Sequence, residues 1–325
     1  MIIKNKCKEA FKRIKKAHNI LLVTHLRPDG DALSSVCAMI DLMETCNKKY
    51  IAFCQDEPAQ NFSFIPHIEK IVFDKKKINN ILDFDLIITL DCGSMQRTGL
   101  TVEINELIVN RKGHFIIEFD HHPGVDDFSD LEIRKPEAAA TTEILYDFLK
   151  VNKIKITKNM ANCILTGILT DTSNFLYPST SKKTIDIASE TLIYGAKFPQ
   201  ITKETHYNKN LSSMKLWGVA LKKIRINKKY NFAFSVLTKQ DMGDVESNEN
   251  IFDAIAGFLG NLHKVKGVMF LREEDGHIKG SLRSSHPNID ISKLAKVLGG
   301  GGHPKASGFL IEGQIIYVKN IWKII

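Results

Sequence analysis

Residues 25–31 read His25-Leu26-Arg27-Pro28-Asp29-Gly30-Asp31, which crowds one imidazole and two carboxylates into a tight loop shaped by Pro28 and Gly30. Charges packed this closely repel one another unless a cation or a base neutralises them. Asp91, the run Asp120-His121-His122 and Asp171 supply further groups of the same two types. Oxygen and imidazole donors with no thiolate among them suit Mn²⁺ first, then Mg²⁺, Co²⁺ or Fe²⁺, and do not suit a structural zinc site. The set divides into two cation positions: His25, Asp29 and Asp91 around one, and Asp31, Asp91, His121 and Asp171 around the other, with Asp91 shared. Such a pair of ions, ~3.5–4 Å apart, lowers the pKa of a bridging water and clamps the oxygens of an in-line displacement. The chemistry expected is metal-assisted hydrolysis of a phosphoester, with Asp91, Asp120 and His122 as the catalytic residues. Asp120, beside two histidines, is expected to orient an imidazole rather than bind metal. His122 is expected to face substrate, binding a phosphate oxygen or moving a proton.

These groups need elements that bring them together. Three apolar runs, over residues 20–24, 86–90 and 115–119, end directly on His25, Asp91 and Asp120. Near-continuous Ile, Leu, Val and Phe, alternating with amphipathic stretches such as 32–45, predicts a parallel sheet covered on both faces. Ligands of such sheets bind beyond the carboxyl ends of the strands, so separate segments would deliver their ionisable groups to one edge. Helical spacing over 138–150 and 162–169 predicts two helices, the second leaving Asp171 at its tip. Residues 181–225 are lysine-rich and largely helical in pattern, which suggests a connector. Beyond them, strands are expected over 232–236, 265–271 and 277–283, the last two joined as a hairpin by Glu273-Glu274-Asp275-Gly276, followed by a short helix over 291–298. The fold class expected is α/β: a catalytic domain over 1–190 with a parallel sheet and helices on both faces, a helical linker over 191–225, and a smaller α/β domain over 226–325.

In that smaller domain Ser281-Leu282-Arg283-Ser284 ends a strand on one guanidinium, and Gly299–His303 offers small residues whose backbone N–H groups can approach an anion closely. A glycine-rich run alone fits a flexible loop equally well. Together, Ser281, Arg283, Gly300, Gly301, Gly302 and His303 suggest a phosphate and nucleotide cradle facing the metals across a cleft. Arg97 is a further candidate for substrate contact.

The 325 residues exceed the usual size of a single core, and 43% hydrophobic with 25% charged residues describes an ordinary globular protein. The net charge of +8 suits anionic partners, although lysine supplies most of it and runs such as Lys75-Lys76-Lys77 read as solvated surface. Arginine is scarce at eight residues, which is why Arg97 and Arg283 stand out. The six cysteines (Cys7, Cys37, Cys46, Cys54, Cys92 and Cys163) form no CxxC pair and are expected to be reduced, mostly buried thiols. The first residues lack the apolar core of a signal peptide and no run is long enough to span a membrane, so a cytoplasmic address is expected.

At these residues the sequence resembles the DHH phosphoesterase superfamily, named for the triad that here is Asp120-His121-His122, and within it the members with a DHHA1 C-terminal domain. His25-x-x-x-Asp29-x-Asp31, Asp91, the triad, Thr170-Asp171-Thr172 and Gly300-Gly301-Gly302-His303 occur in the expected order over nearly the whole chain. The two-domain layout is similar to the nanoRNases, bifunctional oligoribonucleases and phosphoadenosine-phosphate phosphatases. The resemblance implies two Mn²⁺ ions, with short RNAs, linear dinucleotides and 3′-phosphoadenosine-5′-phosphate as substrates, and Arg283, Gly301, Gly302 and His303 gripping them. It implies no membrane and no protein partner, and it leaves room for a homodimer. The match to the family's pattern is looser after Asp91, where the family often has another acidic or small polar residue near position 94 and this chain has Ser94. Family II pyrophosphatases lack the glycine-rich histidine segment, and RecJ-type exonucleases are much longer. A stand-alone cyclic-dinucleotide phosphodiesterase is the alternative enzyme. A non-catalytic nucleotide- or RNA-binding module is the alternative of another class, and would be expected to have lost metal ligands.

Overall fold

The near-continuous apolar runs become the centre of a six-stranded parallel sheet. The computed structural model describes residues 2–78, 80–110, 113–124, 126–207, 211–243, 249–274, 276–319 and 321–325. Strands β1 (Asn19–Thr24), β2 (Lys49–Phe53), β3 (Ile71–Val72), β4 (Leu86–Leu90), β5 (Phe115–Asp120) and β6 (Leu131–Arg134) lie in the order β3-β2-β1-β4-β5-β6, every pair parallel. The register aligns Thr24 with Leu90 and Leu90 with Phe119. His25, Asp91 and Asp120, each the next residue along, therefore leave three neighbouring strands at one level. The chain winds outward in both directions from β1 and β4, and sheets of this kind bind their ligands at the carboxyl ends of the strands where the winding reverses.

Side chains alternate across the sheet, so Ile20, Leu22, Ile88 and Leu90 join one core and Leu21, Val23 and Ile87 the other. The first core is covered by α1 (Ile2–Lys16), α2 (Gly30–Thr45), α4 (Thr141–Val151) and α5 (Lys158–Asp171), the second by α3 (Thr101–Asn110) and neighbouring single turns. The amphipathic reading of residues 32–45 is corrected here: α2 is buried without a break from Gly30 to Met43, because α4 and α5 pack over the side that faces away from the sheet. Cβ atoms built at Gly30 and Gly167 show how close this packing is. The first would lie 2.5 Å from Thr170 Cγ2, and the second 2.3 Å from both Asp31 Oδ1 and Thr142 Oγ1. Both side chains struck by the second belong to the candidate site. Gly167→Ala is accordingly expected to lower stability by about 1–3 kcal/mol through overpacking and to displace Asp31. Thermal unfolding and turnover measured together check it, and a variant unchanged in both would contradict the close approach.

Helices α6 (Lys182–Ile193) and α7 (Phe198–Thr202), with a π-helical turn at Lys203–Tyr207, follow. Close contacts divide the chain into Met1–Asn208 and Lys209–Ile325. The second unit opens with α8 (Leu211–Lys222) and holds a mixed sheet of β7 (Arg225–Asn227), β8 (Phe232–Leu237), β9 (Gly267–Glu274), β10 (His277–Arg283), β11 (Gly301–His303) and β12 (Ala306–Glu312), ordered β11-β12-β10-β9-β8-β7. Helices α9 (Lys239–Met242), α10 (Glu249–Leu259) and α11 (Ser292–Val297) complete it, with a separate pair β13 (Ile315–Val318) and β14 (Ile321–Ile324). The predicted hairpin forms as β9 and β10; Asp275 in its turn lies outside the described residues. Residues of α8 and α10 share one core with Val268 and Phe270, while Ala295 of α11 shares another with Ile278, Leu282 and Phe309. Among the described residues no helix is long and apolar enough to cross a membrane.

Candidate active site

His25 is buried at the end of β1. Its Nδ1–H donates to the carbonyl of Leu26 at 2.7 Å, and because a carbonyl can only accept, the other ring nitrogen is left with a bare lone pair. That nitrogen, Nε2, is buried without a hydrogen-bond partner, 3.9 Å from Asp29 Oδ2 and 3.8 Å from Asp91 Oδ2. A lone pair facing two carboxylates is repulsive as it stands and attractive around a cation. Asp29 caps α2: its Oδ1 accepts from the N–H groups of Asp31 at 3.1 Å and Ala32 at 3.0 Å, leaving Oδ2 for His25.

Asp91 stands between this corner and the next. Its backbone is left-handed, φ 61°, which aspartate and asparagine tolerate better than other branched or bulky residues. Its Oδ1 accepts from the Thr141 hydroxyl at 2.7 Å and lies 3.5 Å from both His121 Nε2 and His122 Nδ1. His121 turns Nδ1 toward the Ala138 carbonyl at 3.3 Å, so its Nε2 points at Asp91 and, at 3.3 Å, at Asp171 Oδ2. Asp171 is the last residue of α5, and Asp31 lies in the first turn of α2. Three groups of ligand atoms thus lie within 4.8 Å of one another: His25, Asp29 and Asp91; Asp31, His121 and Asp171; and Asp91, His121 and His122.

Asp120 is directed elsewhere. Its Oδ1 accepts from the His122 backbone N–H at 2.7 Å and from His122 Nδ1–H at 2.9 Å, while Oδ2 accepts from the Gly93 N–H at 2.5 Å. It orients His122 and the loop after β4. Arg97 reaches that loop as well: its carbonyl accepts from the Leu26 N–H at 2.7 Å, and a Cβ at Gly93 would lie 3.0 Å from its Nη1.

Four residues carry the site without having been singled out in the sequence. Asp31 Oδ2 accepts from the Thr141 N–H at 2.6 Å, and its Oδ1 from the Thr142 N–H at 3.1 Å and hydroxyl at 2.7 Å. The carboxylate therefore caps α4, whose own N-cap residue Ala140 offers no side chain for the purpose. Arg134 and Glu118 lie beneath His122. The small residues Ala138-Ala139-Ala140 ahead of two threonines were the available signal for this helix start.

The electrostatics report a deficit of positive charge. Burial pushes the Asp91 carboxyl well above its usual range, and Asp31, Asp29, Asp120 and Asp171 push it further. Burial also raises Asp171 to about 8, against the attraction of His121. Burial opposes a charge on His121, yet Asp171, Asp31 and Asp120 outweigh it and hold its pKa above the ordinary value. In His25 burial wins and lowers the pKa. Orphaned Nε2 and crowded carboxylates are the donor set a divalent cation fits. A measurable consequence follows from Asp171: an acid whose folded pKa is raised contributes stability present below its unfolded value of about 4 and lost as pH rises toward 8. Metal-free protein loses that contribution, and bound cations remove its cause. The gap in Tm between Mn²⁺-loaded and EDTA-treated protein should widen from about pH 5 to pH 8; a gap that narrows would contradict this charge balance.

In the second unit the pairing register gathers the other candidates. Arg283 pairs with Ala306 and Ala306 with His303; Ser281 pairs with Gly308 and Gly308 with Gly301. Residues opposite one another share a face, so Arg283, His303, Ser281 and Gly301 lie on one side of three adjacent strands. Gly308 and Ala306 between them leave that floor shallow. Gly302, one residue along, falls on the alternate face with φ 129°, and a Cβ at Gly300 would lie 2.0 Å from the Gly308 carbonyl. Those two glycines permit close strand approach, and Gly301–His303 form the edge strand β11 rather than the flexible loop that was the alternative to a cradle. Arg283 donates to the Leu282 carbonyl at 3.0 Å and reaches Asp253 Oδ1 at 3.5 Å.

Comparison with known proteins matches residues 19–168 to the DHH family, N-terminal domain, and residues 229–320 to the DHHA1 domain. The probable bifunctional oligoribonuclease and PAP phosphatase NrnA of Streptococcus mutans is 29% identical over 97% of this chain and 99% of its own. The bifunctional oligoribonuclease and PAP phosphatase NrnA of Bacillus subtilis is 28% identical over 92% and 91%. Among solved structures, an exopolyphosphatase-related protein from Bacteroides fragilis superposes with a TM-score of 0.83 at 27% identity, covering 94% of this chain and 90% of that one.

Proposed function

From the premise that the chain is a DHH-family protein with a DHHA1 domain, we propose that it hydrolyses very short oligoribonucleotides and linear dinucleotides to mononucleotides, and 3′-phosphoadenosine-5′-phosphate to AMP. The names of the relatives, which cover nearly its full length, support both activities. The observation that carries the chemistry is the buried His25 Nε2, without a partner and facing Asp29 and Asp91.

In this reading His25, Asp29 and Asp91 would hold one divalent ion and Asp31, Asp91, His121 and Asp171 a second, Mn²⁺ by preference and Mg²⁺ or Co²⁺ as substitutes. Bound there, the ions supply Lewis acidity and an activated water for in-line displacement at phosphorus. The residues of the chain do the rest. Asp120 fixes the ring of His122 through Nδ1–H, so that Nε2 is the atom that meets a phosphate oxygen or moves a proton. Arg283, with His303, Ser281 and the backbone of Gly301, is assigned the binding of a phosphate of the nucleotide substrate. Arg97 is assigned a substrate contact from the loop after β4. The six cysteines are free thiols, which suits a reducing compartment such as the cytoplasm.

The test is one Mn²⁺-dependent assay on pApA, a pentanucleotide, a long single-stranded RNA, 3′-phosphoadenosine-5′-phosphate and pyrophosphate. AMP should be released from the dinucleotide and from the phosphoadenosine phosphate, with the long RNA and pyrophosphate poorly used. Binding of pApA without turnover would make the protein a nucleotide-binding module instead.

A further inference from the structure

Strands β5 and β6 pair Asp120 with Arg134 and Glu118 with Glu132, which sets three carboxylates and one guanidinium on a single face. The side chains of Arg134, Glu118 and Asp120 are 6%, 1% and 0% exposed. Arg134 distributes its donors in three directions: Nε to Glu132 Oε1 at 2.6 Å, Nη2 to Glu118 Oε1 at 2.7 Å, and Nη1 to the backbone carbonyl of His122 at 2.7 Å. Nη1 also lies 3.7 Å from Asp120 Oδ1. A Cβ at Gly124 would sit 3.6 Å from Arg134 Nε, so the chain just past His122 runs across the guanidinium.

His122 is thereby held at both ends of its residue. Asp120 takes its N–H and its ring Nδ1–H, and Arg134 takes its carbonyl. Asp120, the last residue of β5, ties the N–H and the ring of His122 to the end of that strand; the carbonyl clamp ties the far end of the residue to β6. Without it the peptide between His122 and Pro123 can rotate, and the proline carries no N–H to anchor it again. We propose that Arg134 is a positioning residue for phosphoester hydrolysis, clamping the His122 carbonyl onto buried Glu118 so that the outer nitrogen of His122 meets the reacting phosphate. The inference rests on the hydrolytic role assigned to His122 above.

A guanidinium can span Glu118 and the His122 carbonyl at once, whereas an ammonium is a point charge that serves one of them well. Arg134→Lys keeps the positive charge beside Glu118 and therefore the fold. With pApA and saturating Mn²⁺ its kcat should fall by about tenfold or more while KM stays within about threefold. In a His122→Ala background the same change should cost less than about twofold, because the group it positions is gone. The pair Arg134→Met with Glu118→Leu removes this buried ion pair as a unit, while Asp120 keeps its donors from His122 and Gly93; stability stays close to wild type, and its kcat should remain low. Wild-type kcat in either Arg134→Lys or the double variant would reduce Arg134 to a counter-charge and overturn the proposal, as would an undiminished loss in the His122→Ala background. Failure of the wild-type protein to hydrolyse pApA would overturn the functional reading itself and is seen in the same assay.

Discussion

Replacing Asp91 by asparagine (Asp91→Asn) should abolish hydrolysis and leave a well-folded protein. The substitution keeps the left-handed backbone at φ 61°, which asparagine adopts readily, and keeps an oxygen to accept from the Thr141 hydroxyl. Alanine would be a poorer probe, since the same backbone costs it about 1–2 kcal/mol. What asparagine removes is the negative charge at the centre of Asp29, Asp31, Asp120 and Asp171, the neighbours that push the Asp91 carboxyl upward. Activity on pApA should fall at least about a thousandfold. Metal-free protein should gain stability at pH 8, because repulsion is relieved. A rise in Tm together with loss of turnover separates a lost ligand from a damaged fold. Near-normal turnover would sink the two-metal mechanism.

The second large effect is expected at Arg283. Its tethers are light, a carbonyl of the preceding residue and Asp253 Oδ1 at 3.5 Å, so an incoming phosphate has little to displace. Arg283→Ala should raise KM for pApA by about 10–100-fold and change kcat by less than about threefold. Loss confined to kcat would instead place this arginine in stabilising the transition state. Because its side chain is 19% exposed and outside the large apolar cores, stability should move by less than about 1 kcal/mol.

His25, Asp91 and Asp120 were legible in the sequence because each ends a near-continuous apolar run, and runs of that kind become the central strands β1, β4 and β5. Strands β2 and β6 escaped notice for the converse reason. Lys49-Tyr50-Ile51-Ala52-Phe53 and Leu131-Glu132-Ile133-Arg134 mix charge with apolar residues, and only pairing with a buried neighbour makes them strands. The use of Asp31 as the cap of α4 was equally hidden. Its donors, Thr141 and Thr142, lie 110 and 111 residues away, and nothing local marks a threonine as the partner of a distant aspartate. At Gly301–His303 local chemistry favours a loop, and the backbone of β12 overrides it. The register that sets Arg283 beside His303 is likewise a property of three strands together.

The left-handed turn at position 91 has a bearing on descent as well as on chemistry. Aspartate and asparagine codons differ by one base, and asparagine both tolerates this backbone and keeps an oxygen for the Thr141 hydroxyl, which glycine would not. A lineage no longer selected for hydrolysis therefore has a short path open to it: one transition that silences the chemistry, steadies the metal-free fold and leaves the second unit untouched. Among descendants of such a protein, binders that have ceased to cut should carry asparagine at this turn more often than any other change.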